Sequence, residues 1–90
     1  MELSRKLLIQ NELGLHARAA AKIVSLVGSY KSVLYIKRDD HEVDGTSILS
    51  ILSLACPRGT EVLVRAVGED CDALMEAMSR LFEQKFGEER

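Results

Sequence analysis

The chain is poor in everything a nucleic-acid binder, a membrane protein or a disulfide-stapled protein needs. Aromatic residues make up 4% of its 90 residues and tryptophan is absent, which leaves few platforms on which bases could stack. Charges of both signs are mixed to a net of -2, so no basic surface is available for nonspecific binding of nucleic acid. No stretch approaches the ~20 apolar residues of a membrane span, and no membrane insertion is expected. Two cysteines, Cys56 and Cys71, are too few for a disulfide framework and lack metal-ligand spacing, so no metal site is expected. The start, MELSRKLLIQ, has neither a long apolar run nor a small-residue cleavage site. A cytoplasmic protein with reduced thiols is the expectation. Proline occurs once, as Pro57 in ACPRGTE, and marks a loop.

What is present is an ample apolar complement, 47% of the residues, in a length that suits one domain over residues 1–90. LSRKLLIQN reads as a strand. HARAAAKIVSLVGSY predicts a helix, because Ala20, Ile23, Val24 and Val27 recur at helical spacing. Gly28 is expected just past its end in a left-handed conformation. KSVLYIKR is β-branched and aromatic, hence a strand, and Asp39-Asp40 turn the chain into the return strand HEVD. GTSILSILSLACPRG predicts a short helix with Ser or Thr near its start, ending before Pro57. TEVLVRAVG is a strand with Val62, Val64 and Ala66 on one face. EDCDALMEAMSRLFEQKFG predicts a long helix with acids in its first turn and a stripe of Leu74, Met78 and Leu81. Lys85 falls near its end and Gly87 beyond. The order βαββαβα suggests an α+β, open-faced two-layer β-sandwich: a four-stranded antiparallel sheet covered on one face by three helices.

Nothing in helix folding asks for His16 where a helix begins. With the helix starting at Ala17, His16 takes the cap position and Arg18 falls in the first turn. Amides there lack intrahelical acceptors and carry partial positive charge, so such an end attracts anions, phosphate above all. A neutral imidazole has a free lone pair and can act as a nucleophile. The planar donors of Arg18 could hold the oxygens of an arriving anion. The features describe a histidine that accepts a phosphoryl group; an indifferent capping histidine is the rival reading.

GLHARAAAK, followed about thirty residues later by DGTSILSILSLACPRGTEV, closely resembles the histidine-containing phosphocarrier proteins of bacterial phosphotransferase systems. The resemblance spans essentially the whole chain. It implies that His16 is phosphorylated on Nδ1 and that Arg18 is the active-site arginine that moves with the phosphate. It further implies a carrier without cofactor, working as a monomer and not itself an enzyme. The donor would be enzyme I charged by phosphoenolpyruvate, and the acceptor a histidine on an EIIA-type protein. The ending LFEQKFGEER resembles the nitrogen-related branch, whose role is regulatory more than sugar uptake. One residue departs from the pattern: the family usually has proline after the arginine, and this chain has Ala19. Alanine suits the first turn equally and adds an N–H, so the fold should be indifferent.

TSILSILSL places Ser47, Ser50 and Ser53 three apart among Ile48, Leu49, Ile51, Leu52 and Leu54. That is too apolar for one buried face, and an exposed apolar patch beside a reactive residue marks a partner site. Complete packing under the Pro57 loop is the rival. The resemblance makes Ile48, Leu49 and Leu52 the partner contacts. It matches Ser47 to the serine that a dedicated ATP-dependent kinase, the HPr serine kinase/phosphorylase, modifies in many members. Helix capping is the bland role for Ser47, and Thr46 could cap equally well. His41 reads as a solvated strand residue, Cys71 as inert between two aspartates, and Cys56 as apolar filler.

Two other functions compete. A regulatory binding module, read by a transcription factor or metabolic enzyme through the Ile48–Leu52 surface, would need no phosphoryl relay. An acylphosphatase-like enzyme using Arg18 and Asn11 would hydrolyse phosphoanhydrides alone, but it leaves the second motif without a role. A ferredoxin-like RNA binder fits worst, given the acidic balance and few aromatics.

Overall fold

In a computed structural model describing residues 1–90, the elements run β1 (Glu2–Leu8), α1 (Ala17–Val27), β2 (Val33–Arg38), β3 (His41–Asp44), α2 (Ile48–Leu52), β4 (Glu61–Val67) and α3 (Cys71–Glu83). The strands form one sheet in the order β1-β4-β2-β3 with every pair antiparallel. The last strand in sequence therefore lies inside the sheet, between the first and the second. The fold is the expected open-faced sandwich.

Alternation along β4 explains the layering. Val62, Val64 and Ala66 point to the helices, where Val64 sits opposite Ile36 and Ala66 opposite Leu34. Leu7 and Val43 complete that face, and the helices cover it with Ala19, Ala20, Ile23, Val27, Ile51, Leu74, Met75, Met78 and Phe82. Full burial of each large side chain favours folding by about 1.5–3 kcal/mol. The opposite face meets water, as a one-sided antiparallel sheet can. There the Arg65 guanidinium lies 4.4 Å from the Tyr35 ring centre and 3.0 Å from Glu42. Its hydrogen bond holds the Glu42 carboxyl below its ordinary range, outweighing burial.

Four local expectations are corrected. Gly28 follows α1 but is right-handed, with φ -62°. The chain instead tightens through Ser29 N–H to the Leu26 carbonyl and Tyr30 N–H to that of Val27, so no left-handed residue is needed. The buried stripe of α3 runs through Leu74, Met75, Met78 and Phe82, while Leu81 is only partly covered. The helix ends at Glu83, and Lys85 lies in a separate 3-10 turn at Lys85–Gly87. Asp70 stands at the cap position of α3, yet its carboxylate accepts from Lys31 N–H at 2.9 Å and Ser32 N–H at 2.8 Å. The first turn keeps Asp72 as its acid.

Candidate functional site

The site grows out of the loop between β1 and α1. Ile9 enters it tied to the Pro57 loop, donating its N–H to the Thr60 carbonyl at 2.9 Å. Leu15 repeats the tie with a 2.9 Å bond to the Cys56 carbonyl. Between them Gly14 has φ +71°, and a Cβ there would lie 2.5 Å from the Cys56 carbonyl oxygen. Only glycine lets the two loops close this far. Asn11 is fully buried, and its side-chain N–H donors bond the Gly14 carbonyl at 2.7 Å and Glu88 Oε1 at 2.9 Å. Its own Oδ1 has no partner, a state costing about 1–3 kcal/mol in a buried group. The amide keeps that orientation because both of its donors are engaged.

His16 caps α1, extended at φ -82° and ψ 179°. Its Nδ1 accepts a 3.3 Å bond from the Arg18 backbone N–H, and its Nε2 bonds Glu88 Oε2. A nitrogen that accepts carries no proton, so the ring proton belongs on Nε2, facing a carboxylate. Burial pushes the Glu88 carboxyl up, but hydrogen bonds from Asn11 and His16, with the charge of Arg18, hold it below its ordinary value. Glu88 therefore faces Nε2 as an anion at neutral pH.

The rest of the helix start is receptive. The first turn of α1 has no acid, and helical bonding begins with the Ala20 N–H to the His16 carbonyl. The N–H of Ala19, which a proline would lack, stays among the unbonded donors of this end. Arg18 is exposed and no carboxylate pairs with its guanidinium.

The second motif forms α2, packed against α1. Ser47 caps it, accepting from Ser50 N–H at 3.2 Å. Thr46 does not compete, since Asp44 Oδ1 holds both its N–H and its hydroxyl. Ile51 and Leu54 are buried, Leu52 is half-buried against the core, Ile48 is 38% exposed and Leu49 80%. Leu13, in the loop before His16, is 67% exposed. His41 is exposed on β3, and Cys56 and Cys71 are buried. Burial raises the Cys56 thiol against the opposing charge of Arg38. Asn11 was visible only through the hydrolase reading, and Glu88 through none.

Comparison with known proteins identifies the family. The family described as "PTS HPr component phosphorylation site" matches residues 3–84. The Phosphocarrier protein HPr of Xylella fastidiosa is 40% identical over 97% of this chain and 98% of its own. The Phosphocarrier protein NPr of Shewanella violacea is 33% identical over 97% and 96%. The structure of HPr-C-His from Thermoanaerobacter tengcongensis superposes with a TM-score of 0.93 at 35% identity, covering 98% of this chain and 99% of that one. This chain belongs to the HPr family of phosphocarrier proteins of the phosphotransferase system, which are carriers and not enzymes.

Proposed function

We propose that the chain accepts a phosphoryl group on Nδ1 of His16 from phosphorylated enzyme I and passes it to a histidine of an EIIA-type protein. One observation carries the reading: an Nδ1 that accepts a backbone N–H sits at the start of a helix without acids, beside an arginine without an ion-pair partner. The lone pair of Nδ1 attacks phosphorus as the bond to the donor breaks. The Arg18 N–H, until then bonded to Nδ1, becomes free for a phosphoryl oxygen. Its guanidinium can bind two more oxygens with a geometry lysine lacks. The helix end supplies fixed dipoles, so little has to reorganise.

Ile48 and Leu49, with Leu52 behind them, form the apolar docking surface for both partners, and Leu13 extends it. Phosphate on Ser47, added by an HPr serine kinase/phosphorylase, would place a dianion within that surface and oppose an acidic partner. The working unit is one cytoplasmic chain folded as a single domain over residues 1–90.

The test mixes the protein with phosphoenolpyruvate and a panel of enzyme I preparations and records intact mass. The expected result is a gain of one phosphoryl group, labile in acid, stable in base and absent from His16→Ala. No gain with any active enzyme I overturns the relay.

A further inference from the structure

We infer that Glu88 is a positioning residue for phosphoryl transfer: its carboxylate keeps the ring proton of His16 on Nε2 while Nδ1 takes and gives up the phosphoryl group. The inference deepens the relay reading and rests on it.

Delivery of Glu88 draws on features from distant parts of the chain. After α3 the backbone turns through Lys85 and Phe86, at φ 56° and 58°. The Phe86 ring is fully buried, edge-on to Phe82 with centroids 4.9 Å apart. Lys22, from α1, donates to the Phe86 carbonyl. Gly87 has φ +80°, and a Cβ there would lie 2.8 Å from the Lys22 Nζ. Asn11 then holds Oε1, which leaves Oε2 for His16. The carboxylate is mostly enclosed, 13% exposed, beside an imidazole at 24%. A loose terminal acid would show neither the anchors nor the enclosure.

The chemistry explains what such a carboxylate does. With the proton on Nε2, Nδ1 has a lone pair and no proton to shed, so it can attack at once. The new P–Nδ1 bond leaves the ring cationic, and Glu88 balances that charge. On the outward step the P–Nδ1 bond breaks, its electron pair returns to Nδ1, and a neutral imidazole departs with its Nε2 proton in place. Were Nε2 to lose that proton first, the departing group would be imidazolate, a far poorer one. A buried carboxylate behind a catalytic histidine fixes the tautomer of hydrolase triads by the same logic.

Long-range proton–nitrogen NMR of labelled protein at about pH 8 reads the tautomer directly. The wild type should show the Nε2–H form alone, and Glu88→Gln and Glu88→Ala a mixture containing Nδ1–H. Protein phosphorylated through enzyme I should then transfer to an acceptor roughly tenfold more slowly in Glu88→Gln at about pH 8. The gap between the two rates should narrow as the pH is lowered, because solvent then supplies the Nε2 proton that the carboxylate otherwise retains. Unchanged tautomers overturn the inference even if transfer slows equally at every pH. Superimposable pH profiles also overturn it. No uptake by the wild type overturns the relay and the inference together, whereas normal uptake with unchanged spectra overturns the inference alone. Glu88→Ala serves if Glu88→Gln fails to fold.

Discussion

The starts of α1 and α3 are both positive helix ends, and they have been treated in opposite ways. At α3 the preceding residue is Asp70 and the first turn contains Asp72. Asp70 is drawn away to the backbone of Lys31 and Ser32 and to the Ser32 hydroxyl. At α1 the cap is an imidazole, the first turn has no acid, and the neighbouring arginine is unpaired. A helix end surrounded by its own acids gives an incoming anion little to gain. One left without them keeps its dipole for a visitor. The difference is chemical readiness, and it comes from which side chains are withheld as much as from which are supplied.

The largest way to break the contrast is Arg18→Ala. Phosphoryl transfer should fall about 10²-fold, the scale seen when one preorganised donor is removed. The thermal midpoint should move little, because the guanidinium has no ion-pair partner and only its charge reaches Glu88; stopped transfer assays and a melting curve check both. Ala17→Asp is subtler, since it makes α1 resemble α3. An exposed acid in the first turn should stabilise the helix by ~0.3–1 kcal/mol in denaturant melts. The same acid should slow phosphoryl uptake about tenfold by repelling the arriving group. Stability and function thus move in opposite directions.

The smallest effect concerns Asp70. Hydrogen bonds from the Ser32 hydroxyl and from the Lys31 and Ser32 amides hold its carboxyl below the ordinary 3.8, outweighing burial. A depressed folded value contributes stability that is present above the unfolded pKa and lost as pH falls through the folded one. Asp70→Asn should therefore melt below the wild type at neutral pH. The gap should begin to narrow below about pH 4, the unfolded range, and close as the pH falls through the lower folded value.

Much of the site could be read in the sequence because its parts are local. His16, Ala17 and Arg18 make a cap and a first turn by adjacency, and Ser47 caps α2 three residues before Ser50. The element order followed from periodicity, as in the alternating Val62, Val64 and Ala66. Glu88 was hidden for the converse reason. It lies 72 positions from His16, and GEER looks like a solvated tail. The available signal was Phe86, a large apolar residue at the end of the expected helix, which has to be buried somewhere and brings its neighbours along. Gly28 misled because glycine permits a left-handed cap without requiring one. Asp70 misled because local position at a helix start yielded to donors from a loop 39 residues away.

The contact at Gly14 has a mechanical consequence. It clamps the loop that carries His16 onto the loop that ends α2, with the Leu15–Cys56 bond beside it. The proposed phosphoacceptor His16 and the apolar surface proposed for docking are thereby parts of one stiff body. A relay protein meets its donor and its acceptor in turn, and each must find the same atom at the same offset from the same footprint. In the proposed relay the clamp acts as a gauge: a partner that seats on the leucines has already measured the distance to the nitrogen.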